Sequence, residues 1–388
     1  MNTSLEIKVA KSRLSLFLTE CNIGLGYKLT PLSEASPFAL CFAIFIHHLL
    51  KNDEIISTHA ESWSYELRGN LKLHFDNRVT QVQDLKYDKS FLQLLCFTLS
   101  ALHIIGTLND DPLKEMIEPL ISIDVHSDLK HIKALDGSPG SGNLAMFMAI
   151  LLLHAKLYLN LDTDLKIKDW VELHLESINS NGFWGAQQTM SYLQFQNGYH
   201  QYEILEYLGL ADSSAKLVSS NVKKMVDKIG HFSPYVGGGG CFDFDAIFLL
   251  SLNEQVSSNN KDILLTSVRT ILCEQNLDGG FCESRYIRPR SFKNSLKSIE
   301  HVFSSNRFTL KERLRQALTL QRNKYNRINT HWSKYSREWG ESDLWDSWFR
   351  MLLIARVDVS IDPSKFNDWG FIEYPGIGYH HYFKNRNI

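Results

Sequence analysis

The chain has 388 residues, of which 44% are apolar and 22% charged, and its formal net charge is −2. These proportions exclude an intrinsically disordered chain, and the near-neutral balance removes any whole-chain electrostatic argument for binding nucleic acid or an anionic membrane. Six cysteines stand singly with no CxxC pair, so a disulfide framework is not expected and a reducing, cytoplasmic setting is.

In chain order, the first thirty residues mix Glu6, Lys8, Lys11 and Arg13 with apolar residues, and no secretory segment is expected there. The apolar stretches 38–46 and 144–153 are too short to span a bilayer and run into His47-His48 and His154. They predict buried helices, with no integral membrane span. Segments 36–50, 90–106, 141–159, 197–208, 241–252 and 343–355 predict helices that are apolar around most of their surface. Segments 164–178, 213–228 and 261–275 predict amphipathic helices with one wet face, and the alternation of the two kinds predicts two concentric rings of helices. Period-two runs of β-branched residues are scarce, so the expected class is all-α. A basic, polar stretch at 285–335 interrupts the pattern and is expected to be an insertion. No Pro/Ser-rich linker divides the chain, so residues 1–388 are expected to form a single domain.

A repeat underlies this order. A short Gly-aromatic turn precedes a helix start at Asn181-Gly182-Phe183-Trp184, Gly230-His231-Phe232, Asp278-Gly279-Gly280-Phe281 and Trp369-Gly370-Phe371. A period of about 45–55 residues with one helix pair per unit marks a repeat architecture. If such units close into a ring, their helix starts converge, and the chemistry-bearing residues at those starts become the candidate site.

Three starts carry acids or histidines. After Gly237-Gly238-Gly239-Gly240 come Asp243 and Asp245, in a first turn where the helix dipole favours carboxylates. Asp343 and Asp346 stand i, i+3 at another start, and His380 and His381 close the chain. His200 belongs to a further set with Asn197, Tyr199 and Glu203, and Asn143 ends the Gly-rich loop that opens the helix at 141. Each feature has a plainer alternative: helix capping for the acids, structural hydrogen bonding for the histidines, a simple turn for the loop. The aromatic residues Tyr199, Phe244, Trp345 and Tyr379 are candidates to line a cavity and face a developing cation. Cys241, Asp243 and His380 are donor types that suit zinc, but no local spacing joins them, so no metal is favoured and zinc or magnesium is the alternative.

The motif Gln275-Asn276-Leu277-Asp278-Gly279-Gly280-Phe281 resembles the Gln-containing, Gly-aromatic repeat of the terpenoid cyclase and protein prenyltransferase superfamily, and Ser180-Asn181-Gly182-Phe183-Trp184 is a second, weaker copy. The resemblance implies an α/α toroid. Asp243-Phe244-Asp245-Ala246 is similar to the Asp-x-Asp-Asp acid motif of class II terpene cyclases, with Ala at the last position; by that match Asp245 is the proton donor to an alkene or epoxide and Asp243 its neighbour. Protein prenyltransferases place Asp, Cys and a late His on zinc; Asp243, Cys241 and His380 are similar in type, with the Asp/Cys order reversed.

The expected function is therefore acid-catalysed cyclisation or transfer on an isoprenoid or other apolar small molecule, as in natural product biosynthesis, with Asp245 as general acid, tuned by Asp243 and a nearby His. The alternative enzyme class is a polysaccharide lyase or glycosidase on the same kind of toroid, using Asn197, His200 and Tyr199 or the pair Asp245 and Asp343. The non-catalytic alternative is a helical-repeat binding scaffold, which predicts helix starts neutralised by mutual ion pairs.

Overall fold

A computed structural model describes residues 3–77, 85–108, 111–185, 190–252, 258–304 and 309–386. Its helices, in chain order, are α1 (Thr3–Cys21), α2 (Pro37–Leu49), α3 (Asp53–Asp76), α4 (Lys89–Ile104), α5 (Asp111–Ile121), α6 (Val125–His131), α7 (Ser141–Tyr158), α8 (Asp164–Glu176), α9 (Tyr192–Leu208), α10 (Asp212–Val222), α11 (Gly240–Leu250), α12 (Ser258–Cys273), α13 (Phe292–Phe303), α14 (Leu310–Leu320) and α15 (Leu344–Ile361). Among the described residues the only sheet is an antiparallel hairpin, β1 (Ile328–Thr330) with β2 (Ser333–Arg337).

The helices read as apolar all round are the buried ones: α2, α4, α7, α11 and α15 are buried along most of their length. Of these, α7 is long and apolar enough to cross a membrane by length and composition, yet 67% of it is buried inside the protein. The boundaries move where periodicity has no edge. Helix α9 starts at Tyr192, ahead of the expected start at 197, and α15 continues to Ile361.

The repeat has a common backbone form. At residues 179, 227 and 276 an N–H donates to the carbonyl four residues on, Phe183, His231 and Gly280 respectively, at 2.8, 2.8 and 2.9 Å. The closing glycines Gly182, Gly230 and Gly279 all adopt positive φ. Side-chain oxygens tie the turn in each copy: Asn179 accepts from the N–H groups of Asn181 and Phe183, Asp227 from those of Ile229 and His231, and Asp278 from that of Gly280. This Asx-and-glycine turn is why the motif shows in sequence. It reverses the chain in a fixed way before each buried helix.

The chain divides into two compact units. Unit 1 comprises residues 1–51, 189–192 and 215–370, and within it α11 packs on α15, which also meets α2 and α12. The stretch read as an insertion belongs to this unit and forms the α13–α14 helical hairpin followed by the β hairpin. Tyr235, Val236, Ile287, Leu320 and Trp339 make a small apolar core beneath it. Arg307, part of the basic stretch, lies outside the described residues. Unit 2 comprises residues 52–188, 193–214 and 371–388, with α7 packed against α4, α5 and α8.

Candidate active site

The candidate site in unit 1 is built on the starts of α11 and α15. Asp243 and Asp245 lie on α11, Asp343 is the N-cap of α15 and Asp346 is in its first turn; all four are essentially fully buried. The Asp343 side chain accepts the Asp346 N–H at 2.8 Å, so its capping role is real. Four buried carboxyls at two helix starts require cations, and the fold supplies two guanidinium groups and one imidazole.

Asp243 is the centre of the first cluster. Its Oδ1 accepts the Phe232 N–H at 2.7 Å, while Oδ2 accepts from His231 Nδ1 at 2.7 Å and from Arg350 Nη1. His231 Nε2 meets Glu274 Oε1 at 3.2 Å on the other side of the ring. Burial alone would raise Asp243, but His231 and Arg350 outweigh it and hold the carboxyl below its ordinary range. Burial alone would lower His231, but Asp243 and Glu274 push it up to about 10, making it an imidazolium at neutral pH. The tetraglycine loop makes this approach feasible. Gly238, at positive φ, has no room for a Cβ, which would fall 2.2 Å from Asp243 Oδ2 and 2.5 Å from His231 Nδ1.

Arg337, on β2, centres the second cluster. Its Nε lies 2.5 Å from Asp343 Oδ2, and its Nη2 lies 3.3 Å from Asp346 Oδ2 and 3.7 Å from Glu283 Oε2. The Tyr235 hydroxyl donates to Glu283 Oε1. Three carboxyls share one guanidinium, so the cluster retains a proton more readily than isolated acids do. Burial and the nearby Asp346 raise Glu283 to about 7 against the pull of Arg337, and burial raises Asp343 well above its ordinary value. The Glu283 side chain keeps 15% exposure, whereas those of Asp343 and Asp346 have none, so Glu283 is where this acid network meets the outside.

Burial pushes the Cys241 thiol up, and the negative charges of Asp245, Glu283 and Asp346 push it further. Beside them, α15 carries an aromatic wall. Trp345 lies 4.3 Å from Trp332, 5.0 Å from Phe42 and 4.4 Å from Phe349 between ring centroids, and Phe349 meets Phe244 at 5.4 Å.

The remaining expected site residues lie in unit 2. Asn143 meets His200 Nε2 at 2.7 Å, and burial lowers His200 to about 3, so it is neutral at physiological pH. The Asn197 amide donates to the carbonyls of Gly137 and Ser138, fastening the Gly-rich loop. Tyr199 donates to Glu203 at 2.5 Å, His381 meets Glu206 at 3.1 Å, Tyr379 packs edge-on against Tyr207, and the His380 ring lies on Phe371. The histidine that meets Asp243 is thus His231, not one of the three singled out from the sequence. Among the described residues no group of three or more His, Cys, Asp or Glu side chains is placed to hold a metal ion.

His231, Glu274, Glu283, Arg337, Arg350 and Tyr235 escaped the sequence reading. His231 occupies the aromatic position of its turn, and Glu283 follows two residues after the Gly-aromatic motif ending at Phe281; both signals were present. Arg350 stands i+4 from Asp346, a spacing that suggests a helical pair, yet it reaches Asp243 instead.

The first cluster predicts a pH dependence of stability. Asp243, depressed below its unfolded value of 3.8, contributes stability that is present above that value and lost on acidification through the folded value. His231, raised to about 10, contributes fully below its unfolded value of 6.5 and loses that contribution as pH rises through 10. Thermal unfolding should therefore show its highest midpoint at about pH 4–6.5 for this pair and decline toward pH 10. In His231→Asn the alkaline decline should flatten; an unchanged slope would mean that His231 is neutral in the folded protein.

No protein-family model matches the sequence, and no curated protein does. Solved structures do match over nearly the whole chain. The type II terpene cyclase MstE from Scytonema, without ligand, is 12% identical over 92% of this chain and 98% of its own, with a TM-score of 0.50. A variant of that cyclase in complex with geranylgeranyl dihydroxybenzoate, its substrate, is 11% identical over the same shares with a TM-score of 0.52. A wild-type glycosidase is 10% identical, again over 92% of this chain and 98% of its own, with a TM-score of 0.51. The shared architecture is the all-α α/α toroid expected from the sequence. Likeness at this identity carries the fold and not the reaction.

Proposed function

We propose that this α/α-toroid chain is an acid-catalysed enzyme of the class II terpene cyclase type, acting on an isoprenoid or similarly apolar small molecule. The observation that carries this reading is geometric: Glu283, whose side chain keeps 15% exposure, shares the Arg337 guanidinium with buried Asp343 and Asp346, an arrangement that favours its protonated form. A carboxyl that keeps its proton at the working pH can serve as a general acid. In the proposed step the Glu283 proton forms a C–H bond with the alkene π pair and leaves a carbocation. The next double bond closes a ring onto that cation, and a final C–H loses its proton to a carboxylate, so no oxidant or metal enters the balance. The aromatic wall of Trp345, Trp332, Phe42 and Phe349 suits a developing cation, whose charge the ring faces stabilise. Asp243 is assigned an anchoring role, because an ionised carboxylate holding two cations has no proton to give. Asp245, the donor expected from the Asp-x-Asp resemblance, is the second candidate. The six free thiols support a reducing, cytoplasmic setting.

The glycosidase reading has specific support too. Glycosidase structures match over the same share of the chain, and a raised Glu among neighbouring carboxyls also suits protonation of a glycosidic oxygen. Incubation in D2O with prenylated dihydroxybenzoates and linear polyprenes separates the two. Cyclisation by protonation should place one carbon-bound deuterium in each product molecule, read by mass spectrometry. Sugar release from aryl glycosides without carbon-bound deuterium would replace the cyclase reading.

A further inference from the structure

The hairpin of α13 and α14 is amphipathic in the inverted sense. Its polar groups fasten it to unit 1: His301 pairs with Asp227 at 3.2 Å, and buried Arg313 donates to the carbonyls of His301 and Met225 and to the Tyr192 hydroxyl. Val302 and Leu320 are buried, but most of its large apolar residues turn to water. On α13, Phe292, Leu296, Ile299 and Phe303 recur at i, i+4, i+7 and i+11, which is one stripe of a helix, and all are exposed, Phe292 to 81% and Phe303 to 76%. On α14, Leu310, Leu314 and Leu318 repeat the arrangement and are likewise exposed. Large apolar side chains aligned this way are unlike the scattered exposed residues of an ordinary surface.

The charge around the stripes identifies what they meet. Residues 285–327 hold 12 Lys and Arg against two acidic residues, Glu300 and Glu312, in a chain whose net charge is −2. Arg290, Lys293, Lys311, Arg315, Arg322 and Lys324 are exposed. Lys297 reaches back over the Tyr286 ring at 3.8 Å. A second copy docked through the same face would bring like charges together, whereas an anionic bilayer supplies both an apolar phase for the stripe and a negative surface for its rim.

We propose that the α13–α14 hairpin is a monotopic docking surface for anionic lipid, with Phe292, Leu296, Ile299 and Phe303 entering the headgroup boundary and the surrounding Lys and Arg meeting phosphates. The near-neutral balance of the whole chain conceals this patch, because the excess of acidic residues lies outside it. The assignment does not depend on which reaction the enzyme performs. Vesicle co-sedimentation tests it directly, using phosphatidylcholine vesicles with and without phosphatidylglycerol. The full chain should sediment with the anionic vesicles and not with the neutral ones. Phe292→Ser with Phe303→Ser should weaken that binding by at least about 10-fold, as should Lys293→Glu with Arg315→Glu, while both variants keep the wild-type melting transition. Equal sedimentation with both vesicle types, or unchanged binding in either double variant, would overturn the proposal. So would a wild-type dimer that the serine variant dissociates, which would assign the stripe to a second copy.

Discussion

Glu283→Gln is expected to reduce turnover by about 10²–10⁴-fold, the usual contribution of a positioned general acid, while leaving the folded protein close to wild-type stability. The amide keeps the shape and still accepts from Tyr235, and it removes one of the three carboxyls competing for Arg337. The wild-type rate should fall as pH rises through about 7, because the protonated form of Glu283 is lost there. Asp245→Asn is the matched comparison. If it abolishes turnover while Glu283→Gln remains active, the proton comes from Asp245, as the Asp-x-Asp resemblance implies. Equal activity of both variants with wild type would sink the acid-catalysis reading itself.

Asp243→Asn should behave in the opposite way. The amide leaves Arg350 without its carboxylate partner and His231 with Glu274 alone, both in the protein interior. Breaking one side of a buried ion pair costs about 3–5 kcal/mol, a large share of the stability of a typical domain. Denaturant unfolding should register that loss, and any fall in activity should track the loss of folded protein. A stable Asp243→Asn protein without activity would instead make Asp243 part of the chemistry. The two substitutions thus separate an acid that reacts from an acid that holds the site together.

The ion-paired helix starts are also what a non-catalytic scaffold would have, and the distinction lies in stoichiometry of charge. Around Asp243 two cationic side chains, His231 and Arg350, face two acidic ones, Asp243 and Glu274. Around Arg337, three carboxyls face one guanidinium, with Arg350 acting on Glu283 and Asp346 as well, and burial together with this excess of acid raises Glu283 and Asp343. A purely structural network gains nothing from that excess of buried acid.

The sequence by itself determined the helical class and the repeat, because these depend on local information, and the repeat motif's resemblance to a known superfamily implied the toroid. Apolar surface at helical spacing marks α2, α4, α7, α11 and α15, and the Asx-glycine turns at 179, 227 and 276 repeat in residue type as well as in hydrogen bonding. It also placed Asp243, Asp245, Asp343 and Asp346 at the starts of two buried helices. Their partners were decided only by tertiary structure. His231 meets Asp243 from another turn, Arg337 reaches Asp343 and Asp346 from a hairpin, and Glu283 joins them from the loop after the Gly-aromatic motif. Electrostatic pairing acts through space between segments far apart in the chain, so residue type and spacing identify the acids, whereas only the packed structure decides which are ionised and which keep a proton.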